Sequence, residues 1–535
     1  MDDATANKPP IDVLMIGVHA PNSLAAAALA RAGFTVVLVS DRSQLAVPEG
    51  NTTVPYTSEL FELIADRFDL PEVRKLALFS TGPEVLRRSS GRKECLSFAH
   101  LDSELIEEDL QFVVPSEHEE WHLDRRELDH WALDQATRAG VEVATTDRRP
   151  DLAFDESNHV WQVQLPTCRT ARFLIDGSSV TNPEDLALLG ARRVVDDPTW
   201  ATVQIRLRTT WCPHGYTPRV PHAVPWDRGT TLVASRYGLA QLASTASSIP
   251  GMVNTIVWAT VQKDCIKTDP LEMIRVLFGE LDPVLDLLER EIEVRQVLVD
   301  DAFVHVEQRE DLPVLLWERA AGSSAQVLSR DITQSLETMC TVLPHLMCGL
   351  RSPDNVDVPT LIAARNSITD VHTRWARTAL ECRGAWSRWN AFLRVWLLWT
   401  IMGALSIKRE RLNALEIGWS TIDDRVGPWW YALPTGLVEL MNDSLHVLDT
   451  PIDATCAVEL VFRRLRTDRI VPPLFDFGDP TAKSYRFTPT RRLRMLLWAT
   501  VLARGEMSRL VTSDNVTGRT RTLDSVNSRS DAVGA

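Results

Sequence analysis

The residues near the N-terminus best placed to do chemistry follow a short apolar run. Residues 11–16 (IDVLMI) end at Gly17, and Val18, His19, Ala20, Pro21 and Asn22 lead into an Ala-rich stretch over 23–32. A glycine turn between a strand and a helix aims free backbone N–H groups at one point, which is where phosphate groups bind. His19, at the head of that helix, is a candidate base whose pKa the helix dipole would lower, and equally a loop side chain that fills the turn. A second group, Trp211, Cys212, His214 and Tyr216, has the character of a ligand wall; beside Pro213 and Gly215 it also suits ordinary loop packing. Arg125, on a charged helix, either grips an anion or makes a solvated ion pair. Asp176 at a strand end is a polar ligand contact or a turn residue. No Ser/His/Asp, Cys/His or metal-ligand spacing is present, nor is the GxxxxGK[ST] phosphate loop, so no metal is expected.

These residues need elements to hold them. Residues 11–16, 23–32 and 35–39 read as strand, helix and strand, a parallel βαβ unit of Rossmann type. The stretch 56–110 is helical and mixed, and 123–140 is an amphipathic helix closed by Gly140, with a strand at 141–144. Further strands are expected at 161–163 and 171–175. Between about 200 and 310 the texture changes to β segments at 202–207, 231–235 and 253–261, followed by a helix over 271–288. Beyond Ser329 the chain is helical, and 371–405 carries Trp375, Trp386, Trp389, Trp396 and Trp399 at near-helical spacing, a packed core layer. The longest apolar run, 396–405, is about half the ~20 residues that cross a bilayer, so it reads as a buried helix without a membrane span. Residues 512–535 are polar and poor in apolar groups, a disordered tail.

Composition bounds the class. A chain of 535 residues exceeds one ordinary domain, and 44% hydrophobic with 24% charged residues is the profile of a globular protein. Lys and Arg number 57 against 72 Asp and Glu, a net charge of −15, which repels nucleic acid. The eight cysteines form no CxxC pair and read as reduced thiols of a cytosolic protein. The leader MDDATANKPP lacks the basic flank and apolar run of a secretory signal, so a cytoplasmic location is expected.

The order and spacing of the pieces resemble the flavin-dependent monooxygenase superfamily, which includes flavin-dependent halogenases and polyketide epoxidases. The likeness covers most of residues 11–350. The segment from Ile16 through the closing Leu29-Ala30-Arg31-Ala32-Gly33 has the length of the family's FAD-binding turn and helix. Arg125, Glu127, Leu128 and Asp129 are similar to a family pattern on the helix that comes after it. Phe173-Leu174-Ile175-Asp176-Gly177-Ser178 is similar to the family strand that ends in Asp, a small residue and Thr or Ser. Residues 314–321 (VLLWERAA) fall where the family has a strand running into Gly-Asp-Ala-Ala. The resemblance implies an α/β architecture: a Rossmann-like FAD-type domain over 1–195 with a return segment at 301–360, an inserted β-rich substrate domain at 196–300, a helical domain at 361–511 and the tail at 512–535.

The departures bear on function. The family's three loop glycines correspond to Gly17, His19 and Asn22, and side chains at the last two positions occupy the phosphates' space. The acid expected at the end of the second strand is Ser40 in register, with Asp41 one place later. Glu318-Arg319 replaces Gly-Asp, and the halogenases' Trp-x-Trp-x-Ile-Pro is absent, residues 256–261 keeping only Trp258. Two lysines, Lys75 and Lys93, are candidates for the halogenases' catalytic lysine. If FAD is retained, the resemblance puts its contacts at Gly17, Asp41, Arg125 and Asp176. Loss at both flavin motifs implies instead a chain without cofactor, a repurposed enzyme of natural-product biosynthesis that performs a redox-neutral step such as cyclisation of a polyketide-like molecule. Two alternatives stay open: an FAD-dependent monooxygenase or halogenase with an atypical FAD site, and a non-catalytic partner of an active paralogue. The partner of the first reading is a small, largely apolar substrate, in a pocket lined by Trp211, His214, Tyr216, Tyr237 and Trp258; a homodimer or a paralogue complex is compatible with it.

Overall fold

The structure is a computed structural model that describes residues 10–41, 51–102, 105–113, 119–178, 183–210, 224, 228–246, 252–278, 292–317, 331–352, 356–419, 433, 435–450, 454–468, 470–473, 476–485 and 488–497. The chain opens with β1 (Ile11–Ile16), α1 (Ala20–Arg31), β2 (Val36–Asp41), β3 (Asn51–Thr52), α2 (Pro55–Arg67) and α3 (Glu84–Ser89). It continues through β4 (Gly91–Lys93), β5 (Cys95–Asp102), β6 (Leu105–Val113), β7 (Glu120–Leu123) and α4 (Arg125–Arg138). β8 (Glu142–Thr146), β9 (Asp151–Asp155), β10 (Val160–Gln164), β11 (Cys168–Asp176) and α5 (Pro183–Leu188) are next. Then come β12 (Ala191–Thr210), β13 (Gly229–Ser235), β14 (Gly238–Ala246), β15 (Met252–Gln262), α6 (Pro270–Phe278), β16 (Ile292–Gln308) and β17 (Val314–Leu316). The helical part holds α7 (Asp331–Arg351), α8 (Val358–Cys382), α9 (Trp386–Ile417), α10 (Thr435–Asp449) and α11 (Ala454–Thr467), before β18 (Ser484–Tyr485) and α12 (Pro489–Leu497).

Three sheets result. A seven-stranded sheet runs β8-β2-β1-β11-β10-β9 with β17 beside β11. Its β8, β2, β1, β11 and β17 are parallel; β1, β17, most of β2 and the end of β11 are apolar and buried on both faces, as a sheet covered by helices requires. The expected βαβ unit is therefore present, and α1 begins three residues before the Ala-rich stretch read from sequence. Alanine at 25–28 and 30 keeps α1 thin enough to pack between the sheet, α4 and α7.

The eight-stranded sheet, β16-β12-β15-β14-β13-β5-β6-β18, is larger than the expected insert. The boundary at 196–300 misses β5 and β6, which pair with β13 and with each other, and cuts through β12 and β16. The mixed, acid-rich texture of 95–113 hid these two strands. One face of this sheet carries Val203, Ile205, Leu207, Val233, Ala240, Val257 and Ala259, covered by α6. The opposite, inner face turns Leu96, Phe98, Leu232 and Leu239 into the main core with α1, α2 and the helical layer. Of the helix expected over 271–288, the structure shows α6; residues 279–288 lie outside the described residues, as does the tail at 512–535.

The tryptophan-rich segment forms α8 and α9, where Trp375, Trp389, Trp396 and Trp399 are buried and Trp386 is half-buried. Trp375 meets both Phe392 and Trp399 edge-on or tilted, at 5.8 and 5.6 Å between ring centroids. α9 is long and apolar enough to cross a membrane, yet 94% of its most apolar window is buried inside the protein. It is the central strut of the helical layer. The seven described cysteines are all free thiols.

Candidate functional site

The carboxyl ends of β1, β11 and β17 meet the N-terminus of α1, the crevice in which open α/β sheets bind ligands. Gly17 makes the turn at φ +94°, and a Cβ there would lie 2.9 Å from the Ser178 backbone nitrogen, so the position demands glycine. That is the plain tight turn expected from the sequence. His19 caps α1, its Nδ1 accepting from the Asn22 N–H at 3.4 Å. Its ring packs against Gly177, where an added Cβ would come within 2.5 Å of Nε2. The Asn22 carboxamide donates to the carbonyls of Gly17 (2.5 Å) and Ile16 (3.2 Å). The Ala20 N–H, the first of the helix, donates to the Asp129 carboxylate at 2.6 Å. An intramolecular carboxylate thus takes the charge-favoured place at this helix end.

Asp129 is shared with Arg125, whose Nε donates to the same oxygen at 2.7 Å. Arg125 is 1% exposed, so of its two expected readings the solvated ion pair is corrected: α4 turns this side chain inward and Asp129 neutralises it. Asp176 is fully buried and is more than a turn residue. It accepts from the Ser178 N–H (2.9 Å) and hydroxyl (2.6 Å) and pairs with Arg149, which also reaches the Ser178 hydroxyl at 2.8 Å. Asp41 ends β2 beside Thr146 of β8; its side chain lies outside the description. Glu318 and Arg319 lie outside it too.

A second polar group sits under the small sheet β3-β7-β4. Antiparallel pairing sets Lys93 opposite Glu120, and the two side chains form a buried ion pair at 2.7 Å, with Lys93 also donating to the Thr53 carbonyl. Burial pushes the Glu120 carboxyl up, against the opposing pull of Lys93. His122, two residues on, is pushed down to about 3 by burial and then by Lys93, so it is a neutral imidazole. Its ring nitrogens meet the Ser244 carbonyl (2.8 Å) and the Thr230 hydroxyl (3.0 Å), which fixes Nδ1 as the protonated one. Lys75, by contrast, is exposed and pairs with Glu72. Of the two candidate lysines, only Lys93 is held inside.

The residues expected to line a pocket divide. Trp258 of β15 is buried on the inner face of the large sheet, grouped with Ala243 and Ile256. Tyr237 lies in the turn between β13 and β14, half-buried, its hydroxyl accepting from Arg236, whose guanidinium lies 4.7 Å from the ring centroid. The structure does not bring it beside Trp258. Trp211, His214 and Tyr216 lie outside the described residues. Sequence reasoning missed Asp129 as the acceptor at the α1 N-terminus, Arg149, Glu120 and His122. Among the described residues no group of three or more His, Cys, Asp and Glu could hold a metal.

A doubly sided parallel sheet with this crevice, an appended substrate sheet and a helical layer define the FAD-binding fold of the flavin-monooxygenase type. The same fold is found in the halogenase PltM in complex with phloroglucinol and FAD (TM-score 0.74, 16% identity, covering 89% of this chain and 99% of that one). It is found again in aklavinone-11 hydroxylase with FAD and aklavinone (TM-score 0.52, 16% identity, 71% of this chain and 70% of that one). In sequence the chain is 24% identical to tetracycline 7-halogenase of Kitasatospora aureofaciens, over 96% of its own length and 97% of that protein. No family model matches. The chain is thus similar over nearly its whole length to a halogenase and shares the fold of FAD-binding halogenases and hydroxylases.

Proposed function

We propose that this chain is a cytoplasmic enzyme of natural-product biosynthesis that uses the superfamily scaffold without FAD redox chemistry, carrying out a redox-neutral step such as cyclisation of a polyketide-like molecule. One observation carries the reading: the phosphate end of the crevice is filled from within. The His19 ring takes the space in front of Gly177, and the Asp129 carboxylate holds the first helix N–H. A dinucleotide pyrophosphate brought to that helix end would meet a carboxylate and an imidazole in place of open amides. Arg125 and Asp176, two of the four positions at which the resemblance would place FAD contacts, are already engaged by Asp129 and Arg149. The residues present do not fit the cofactor in the superfamily's manner, so no step is routed through it.

The proposed cyclisation makes modest chemical demands. A walled space between sheet and helices can fold a flexible chain into a reactive conformer and exclude water, which lowers a barrier by several kcal/mol, on the order of 7–11 in well-oriented cases, with few polar groups. Trp258, Ala243 and Ile256 supply apolar floor on the inner face.

A second reading, a halogenase with an atypical FAD site, is favoured by Lys93. It is the lysine held in the interior, and the full-length similarity is to a tetracycline halogenase. The visible spectrum of the purified protein, recorded after incubation with excess FAD and gel filtration, separates the two. A colourless protein is expected. A retained flavin band overturns the redox-neutral reading in favour of an FAD-dependent monooxygenase or halogenase.

A further inference from the structure

We propose that Arg206 is the anion-recognising residue of a small-molecule site on the inner face of the large sheet, and that its ligand is a flat, largely apolar molecule bearing a carboxylate or an acidic enol. The proposal rests on the small-molecule reading above and names the substrate class.

β12 alternates in the ordinary way, with Val203, Ile205 and Leu207 packed under α6. Thr202, Gln204 and Arg206 therefore occupy the other face. In most half-buried sheets such a polar row faces water; here it faces the rest of the protein. Gln204, Gln241, Thr230 and Thr260 on that face are all 9% exposed or less. Cross-strand register aligns Arg206 with Ile256 and Ala243, and the next row on the same face aligns Gln204 with Trp258 and Gln241. Ala243, Ile256 and Trp258 form a buried apolar group of their own, separate from the main cores. An aromatic ring, two aliphatic side chains, two amides and a guanidinium thus share one patch.

Arg206 differs from the other interior arginines. Arg125 is neutralised by Asp129, Arg149 by Asp176, and Arg411 by Glu62 and Asp66. Arg365 and Arg394 are held by neutral acceptors: Gln308, Asn366 and the Leu316 carbonyl for the first, Asn390 and the Ala482 carbonyl for the second, although Arg394 Nη1 has no hydrogen-bond partner among the described residues. Half-buried Arg206 makes no hydrogen bond or ion pair among the described residues, and its Nε is buried without an acceptor. The charges nearest it are Asp124, which caps α4 by accepting from the Arg126 and Glu127 N–H groups, and Arg126, of opposite sign to the acid. A partly desolvated guanidinium with an unpaired Nε presents a planar fork that matches a carboxylate or a 1,3-dicarbonyl enolate. Adjacent rows on one face of a strand are about 7 Å apart. An acid oxygen at Arg206 and a ring over Trp258 therefore fit one rigid aromatic acid.

Calorimetric titration of the full chain with an anthraquinone carboxylate and with the corresponding primary carboxamide tests this. The acid is expected to bind about tenfold tighter or more than the amide, the difference a charge-assisted pair supplies. R206M should erase that preference while amide affinity stays within about twofold, R206K should keep part of it, and W258A should weaken both probes. Unchanged melting temperatures certify that the variants fold. Equal affinity for the two probes in the wild type, a preference that survives R206M, or no binding of either probe overturns the proposal. The flavin spectrum is read separately: a flavin-loaded protein that still prefers the acid keeps the anion site and sinks only the cofactor-free reading.

Discussion

The carboxyl end of the parallel sheet and the inner face of the large sheet treat their polar groups in opposite ways. At the first, the helix-end donors are engaged internally, the Ala20 N–H by Asp129, the Asn22 amide N–H groups by Gly17 and Ile16, and Asp176 by Ser178 and Arg149, while Asn22 Oδ1 and Ser23 Oγ are buried without a hydrogen bond among the described residues. At the second, Arg206 makes no hydrogen bond or ion pair among the described residues and sits beside a separate apolar group containing Trp258. Filling a site from within converts ligand affinity into stability, because the groups no longer wait for an outside partner. Leaving a guanidinium desolvated does the reverse, trading stability for recognition. On the proposed reading, the first is a helix end closed by its own side chains and the second a face that recognises a ligand.

The largest expected effect concerns the buried pair between these regions. Lys93→Met or Glu120→Gln leaves one charge uncompensated in the interior and should cost about 3–5 kcal/mol, whereas the double replacement by apolar residues should recover most of it. Urea unfolding of the three variants measures this. A single variant as stable as the wild type would show that the pair is solvated and that the cluster belongs with the open face.

A smaller effect is expected at His122. The unfolded chain takes up a proton there below about pH 6.5, while the folded protein refuses it until about 3, so stability is lost as the pH falls through that window. Glu120, whose carboxyl is raised by burial, shifts the other way and offsets part of the loss. Between pH 7 and 5 the wild type should lose about 2 kcal/mol more than His122→Gln, read from urea midpoints. Identical slopes would mean that the imidazole is not held neutral by its surroundings.

Legibility tracked the length of the signal. β1, α1 and β2 could be read because a buried parallel strand and an Ala-rich helix leave uninterrupted runs, and Gly17 sits where the turn needs a positive φ. β5 and β6 could not, since their pairing with β13 joins segments far apart in the chain. The Lys93–Glu120 pair had no signal at all: it depends on strands of three and four residues whose register no periodicity betrays. Arg206 lay within a strand read correctly, 202–207. Alternation gives two faces without saying which meets solvent, and here the polar face turns inward. At Arg125 the sequence showed a charged helix, and burial depended on Asp129, one turn later, serving two partners at once.

The central claim, that the cradle is occupied by its own side chains, is tested most directly by calorimetric titration of FAD into the wild type and into the His19→Gly/Asn22→Gly variant. The variant should lose about 1 kcal/mol or more of stability with its helix cap. No saturable binding to the wild type is expected, with measurable FAD affinity appearing once both side chains are removed. Stoichiometric binding of FAD to the wild type would contradict the claim.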